Sequence, residues 1–430
     1  MSGFRTRRKF IFESAGAAAG LVLAGATPAL SARAKEAPPT MTDTGKHVEP
    51  LGFTEHPIRV GNGKGGWRLT AGEVQFLHCR DADHLMPFGV QHMDNGEVLL
   101  LASAERPGQF TPVVAFSRDD GATWSDWARV REAGTATDAN GRPMMLTYLG
   151  QGRITFHTDP TVRFTSTDYG RTWERIAVTF PRPEDALIVE GNAHVDRDPQ
   201  GNATRIAAVG YKVADSARWP ESFTGFLQWS TDGGKTWGAE VRPKTWVVEF
   251  EHHGQTVVRG VSEGSIVRAR NGDLVAALRT DMPPRFYRDG AQSGTDFDDS
   301  LEGLGVSTSH DNGKTWSPIS LLYEAGRHHP HLMALPNGDL IMTYIVRVDV
   351  RGGGLASCRR GCEALVGHDH GQTWRPDRRY MLDEFEFFDG VKWFNGETGH
   401  LGSTALPDGR LLTAYGRYQA KAACLIRWRP

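Results

Sequence analysis

Carboxylates, imidazoles and guanidinium groups recur at matching places along this chain. Glu190 and His194, Glu263, His328, His329 and His331, and Glu397 and His400 each stand near the start of a β-forming run. His84 to Phe88 hold the corresponding place in the first such run. Arg106, Arg279, Arg347 and Arg417 stand at the ends of the runs that follow. Glu263 paired with Glu397 or Glu190 suits general acid–base or nucleophilic work on a glycosidic bond, with retention at a carboxyl separation of about 5–5.5 Å and inversion when wider. His329 and His400 suit proton transfer. The four arginines suit a carboxylate or sulfate, because a planar guanidinium matches such an anion with two parallel hydrogen bonds. His331, Glu190 and His194 would line the substrate. A single strand-end arginine is usually a solvated surface charge; four at equivalent positions favour binding.

The elements that place these groups are set by repeats. Ser117–Trp124, Ser166–Trp173, Ser230–Trp237, Ser309–Trp316 and Gly367–Trp374 share the pattern Ser-x-Asp-x-Gly-x-Thr-Trp, with Gly367 replacing Ser in the last. The Asp carboxylate can accept bonds from the N–H groups after it, Gly supplies a positive φ, and Thr and Trp re-enter a strand. These aspartates are turn-makers. Asn-Gly and Asp-Gly turns at Asn95-Gly96, Asn271-Gly272, Asn337-Gly338 and Asp408-Gly409 mark a second series of hairpins. Two hairpins per unit predict an all-β fold, a six-bladed β-propeller of four-stranded antiparallel blades. The strand Val74–Cys79 is expected to close the last blade against Ala423–Trp428, with a Cys79–Cys424 disulfide across it and a second small loop between Cys358 and Cys362. Both series of turns fall on one face. The starts of the innermost strands, and with them the polar set, fall toward the other. The segment from Thr280 to Gly305 adds Arg285, Tyr287, Arg288 and Asp296 there.

Residues 1–34 read as a twin-arginine export signal, with Arg7-Arg8 before an apolar Ala/Gly run and Ala32-Arg33-Ala34 as the cleavage site. The apolar run is too short for a membrane span, so no anchor is expected after cleavage, and a periplasmic or secreted location is. Residues 35–56 read as a flexible leader and 57–430 as the propeller. The formal net charge is −2, and residues 1–34 alone carry a net +4, so the remainder is acidic. That excludes nucleic acid as a partner and leaves a glycan or acidic saccharide. No cofactor is expected. His329-Pro330-His331 is the one spacing that could admit a divalent metal.

The boxes, the blade count and the hairpin spacing resemble the sialidase superfamily, whose members carry bacterial neuraminidase repeats. The resemblance spans residues 66–430 and implies a glycosidase acting on terminal acidic sugars, sialic or uronic. It places Glu263 and Arg279 at the family's glutamate and second carboxylate-binding arginine, with Arg347 near the third. The stretch Leu85-Met86-Pro87 stands where the family has its first arginine, no acid lies between Arg106 and Ser117, and Glu397-Thr398-Gly399-His400 stands where a tyrosine belongs. A uronate lyase using a histidine or tyrosine base, and a glycan-binding propeller without turnover, are the alternatives.

Overall fold

Alternation of buried and exposed residues, punctuated by glycine turns, yields strands almost throughout. The computed structural model describes residues 52–181, 187–213, 223–252, 254–281, 302–347, 349–351, 354–357, 359–386, 400–417 and 420–430. The export signal, residues 35–51 of the leader, Glu397, Cys358 and the arginines, tyrosine and aspartate expected between 282 and 301 lie outside these residues.

The strands form a propeller-like arrangement of antiparallel sheets. The first sheet pairs His84–His92, Val98–Arg106, Gln109–Ser117 and Ala128–Arg129 in order. The second runs Met144–Gly150, Arg153–Asp159, Val162–Ser166, Glu174–Ala177. The third runs His194–Arg197, Ala203–Val213, Phe223–Ser230, Gly238–Val241. The fourth has five strands, with Val248–His252 placed before Gln255–Arg268, Leu274–Asp281, Gly303–Ser309 and Ser320–Tyr323.

The expectation of six separate four-stranded sheets is corrected here. Apart from the two-stranded pair Asp349–Arg351 and Gly354–Ser357, the remaining strands form one ten-stranded sheet, in which Thr373–Trp374 pairs on Arg359–His368. Its cause is the strand Thr54–Gly61, which begins inside the segment expected to be a leader. It pairs with Trp67–His78 on one side and with Tyr380–Glu386 on the other. The quartet Arg327–Ala334, Leu340–Val346, Arg359–His368, Tyr380–Glu386 thereby runs on into Trp67–His78, Ala422–Trp428, Leu411–Arg417, Leu401–Ala405. The pairing of Trp67–His78 with Ala422–Trp428 is the expected closure of the chain's two ends.

Among the described residues, six apolar clusters lie between successive groups of strands, and a seventh, smaller one joins Met86, Phe88 and Met144. Leu85, Val98 and Leu100 meet Leu412, Ala414 and Leu425. Leu99, Leu101 and Phe116 meet Ile154, Phe156 and Phe164. Met145 and Leu149 meet Ile206 and Ala208. Val209 and Leu227 meet Ile266 and Leu274. Val275 and Ala277 meet Leu340 and Met342, and Ile341 and Ile345 meet Tyr415 and Ile426. Each sheet buries both faces, so the central strands read as continuous apolar runs.

The expected Cys79–Cys424 disulfide is also corrected. Cys79, Cys362 and Cys424 are free, buried thiols. Phe76 is the register partner of Cys424. Cys79 stands three residues further along, about 10 Å at strand rise, beyond the reach of a disulfide.

The boxes are built as their residues dictate. Ser117 Oγ donates to Asp119 Oδ1 at 2.8 Å, and Thr123 N and Oγ1 donate to the same carboxylate at 2.8 and 2.6 Å. Trp124 Nε1 donates to Gly121 O at 2.9 Å. Gly121 has φ 83°. The Asp168, Asp232 and Asp311 boxes repeat the bonds from Ser and Thr to the carboxylate.

Candidate active site

Four innermost strands carry a bulge at the same depth. The register shifts between Pro87 and Gly89, between Met144 and Thr147, between Ser262 and Ser265, and between His328 and His331. A bulge inserts one unpaired residue and re-aims its side chain. The residues freed are Phe88, Met145 and Leu146, Glu263 and Gly264, and His329 and Pro330. Three of them hold a left-handed backbone without being glycine: Met145 (φ 53°), Glu263 (φ 26°) and His329 (φ 51°). Such conformations cost energy and persist where the surroundings enforce them.

Phe88, Met145, Leu146, Glu263, His329 and Pro330 line one central cavity together with Gln91, Glu190, Asn192, His331 and His400. Glycines let the inner strands approach closely around it. A Cβ on Gly191 would stand 2.0 Å from Gly264 O, and one on Gly402 would stand 2.7 Å from Gly89 Cα. Asn192 ties two inner strands. It accepts from Ser265 Oγ and donates to Leu332 O at 2.9 Å, and Leu332 N donates to Ser265 Oγ at 2.8 Å.

Glu263 is the centre of the polar network and is 3 % exposed. Its Oε1 meets Arg279 Nη1 at 2.6 Å, and its Oε2 meets His329 Nδ1 at 3.1 Å. Arg279 is enclosed by three carboxylates, since its Nε also bonds Asp281 Oδ1 at 3.0 Å and its Nη2 bonds Glu302. Ser262 Oγ donates to Asp281 Oδ2 at 2.7 Å. Arg347 Nε donates to His328 Nε2 at 2.7 Å, a shorter contact than that of Arg279 Nη1 with His328 Nδ1, 3.4 Å. Nε2 is therefore the acceptor, and Nδ1 carries the ring proton toward Glu263 Oε2, 3.6 Å away. His329 stands against His400, ring centroids 4.1 Å apart, and His400 stacks on Phe88 at 4.3 Å.

Burial pushes the His329 imidazole well below its ordinary range, against the opposing pull of Glu263. Burial likewise brings His331 down to about 4. Both rings are neutral at pH 7.

Glu263, His328 and His329 bring three ligand atoms within 4.8 Å of one another. They do not fit a divalent ion. His328 Nδ1 bears a proton in place of a lone pair, and the Arg279 guanidinium already balances the Glu263 carboxylate.

The structure brings Glu190, Glu263, His329, His331 and His400 together, with Arg279 and Arg347 behind them. It places the other expected residues elsewhere. His194 bonds Asp196 at 2.9 Å, in a cluster with Arg205 and Arg268. Arg106 is exposed in a separate cavity with Asp81 and Arg129. Arg417 stands 3.7 Å from Asp383 and lies over Phe385. Arg279 and Arg347, 1 % and 2 % exposed, do not line the cavity. Asp281 and Glu302 were missed by sequence reasoning. Both lie just inside the ends of the Thr280–Gly305 segment, where no pattern marks an acid that turns inward.

A BNR/Asp-box repeat model matches residues 307–318, the fourth box. The match supports the likeness to the sialidase superfamily at the level of repeat and fold. No curated protein matches. Among solved structures, a Dyadobacter fermentans protein of unknown function shares 18 % identity at TM-score 0.54, covering 83 % of this chain and 99 % of that one. It shows the shared fold. A Penicillium chrysogenum α-L-arabinanase complexed with arabinobiose gives 14 % and 0.49, over 88 % and 98 %. The Streptococcus pneumoniae NanB sialidase gives 10 % and 0.49, over 82 % and 70 %.

Proposed function

We propose that this protein is a carbohydrate-active enzyme, a glycoside hydrolase in which His329 is the general base and Glu263 orients it. The observation that carries the reading is the contact of Glu263 Oε2 with His329 Nδ1 at 3.1 Å inside the central cavity. The carboxylate beside Nδ1 favours the proton on that nitrogen, which leaves the Nε2 lone pair to take a proton from water. Glu190, lining the same cavity, supplies the carboxyl that protonates the leaving oxygen. A lyase needs a cation against the sugar carboxylate to hold the enolate, and the described lining contains no arginine or lysine.

The six apolar clusters support counting six blades, with the ten-stranded sheet read as two blades joined through Thr54–Gly61. Export by the twin-arginine route is part of the same proposal. The test is reducing-sugar release from a panel of aryl glycosides by wild type, His329→Gln and Glu190→Gln. Activity retained in both variants would sink the assignment.

A further inference from the structure

We infer that the sugar bound in this cavity is uncharged and is read through its hydroxyl groups, so that sialic and uronic acids are rejected by charge. The inference rests on the hydrolase reading and names its substrate class. Among the described residues, the charges joined to Glu263 directly or through His328 are two guanidiniums, Arg279 and Arg347, against three carboxylates, Glu263, Asp281 and Glu302. Glu190 adds a carboxyl at the cavity wall, protonated as the hydrolase reading requires. Arg279 sits behind Glu263 with three of its nitrogens engaged by those acids, so it cannot turn its fork toward a ligand. A sugar carboxylate entering here would lose its water, meet like charge and find no cation among the described lining residues.

A hydroxyl group meets the opposite situation. His331 Nδ1 is a buried nitrogen without a hydrogen-bond partner, and His331 lines the cavity. An alcohol donates to or accepts from a neutral imidazole equally well. The stacked pair Phe88 and His400 offers a flat platform for the C–H face of a sugar ring.

The full chain is assayed on matched pairs of aryl glycosides that differ only at the carboxylate: glucoside against glucuronide, galactoside against galacturonide, with an arabinofuranoside and a sialoside beside them. A preference for the neutral partner of about 100-fold or more in kcat/KM is expected. A preference for the acidic partner overturns the inference and leaves the hydrolase reading standing. If no glycoside turns over, the hydrolase reading fails, and calorimetric titration decides the inference alone. Neutral arabino- and xylo-oligosaccharides binding where oligogalacturonate does not upholds it; oligogalacturonate binding, or binding of neither class, overturns it.

Discussion

An imidazole that must accept a proton has to reach its substrate without one. Burial among His328, His400 and Arg279 achieves this for His329, while Glu263 limits the effect and fixes the ring. His329→Gln is expected to lower kcat by about 10²–10⁴-fold with little change in KM, measured on the best substrate from the glycoside panel. The acidic limb of the kcat–pH profile should lie well below the ordinary histidine range, so activity persists as pH falls through 6.5. A limb near 6.5 would show that another group carries the proton. Arg347 acts on this chemistry through His328, whose tautomer it sets. Arg347→Met should therefore disturb the pH profile as well as kcat, and Arg347→Lys, which keeps a donor, should restore part of both.

At the scale of elements, the boxes are mechanical parts. Each aspartate closes the turn between a third and a fourth strand, at the end where the innermost strands finish. The bulges that line the cavity lie away from that end of the inner strands. Asp168→Ala removes acceptors for Ser166 Oγ, Thr172 N and Thr172 Oγ1. It is expected to cost about 1–3 kcal/mol, read as a drop in Tm, with kcat/KM unchanged. Hydrogen bonds from Thr315 and Ser309 hold Asp311 down to about 2. Its contribution is therefore complete above the unfolded value near 4 and is lost as pH falls toward 2. The boxes were legible because their chemistry is local: eight consecutive residues contain both the donors and the acceptor. The bulges were not, because whether a strand inserts an extra residue depends on how its neighbours crowd the axis, and Glu263 looks like any other strand residue in its own sequence window. The same limit explains Arg417, which shares a strand-end pattern with Arg279, and His194, at a strand start with Glu263 and His329: each finds an acid of its own.

Over the whole molecule, closure rests on contacts between the chain's two ends. Ile58 and Val60, on the strand that joins two quartets, are buried in the last apolar cluster. Ile58→Ala should cost about 2–5 kcal/mol, whereas Leu69→Ala on the neighbouring strand, where Leu69 is 69 % exposed, should leave the denaturation midpoint unchanged. Acid should weaken the whole fold before it reaches the carboxylates. Burial lowers His157 to about 3 and His331 to about 4, so each stays neutral when folded but takes a proton when unfolded. Their contribution is full above 6.5 and is lost progressively as pH falls toward those values. His157→Leu should shallow that loss in a pH series of denaturant midpoints. Export is tested at this scale too: Arg7→Lys with Arg8→Lys should trap the protein in the cytoplasm in a fractionation experiment.

The sequence by itself determined the repeat, the all-β class, the closure of first strand on last and the presence of Glu263, His329, His331 and His400 in one region, because turn chemistry and strand period are written within a few residues. Only the tertiary structure decided what those residues face. Arg279 was expected to reach outward to a substrate anion; instead Asp281, two residues along its own strand, and Glu263 and Glu302 from other stretches of chain enclose it. A buried guanidinium must be matched by carboxylates wherever the fold can bring them, and two of the three it meets are settled by packing across strands.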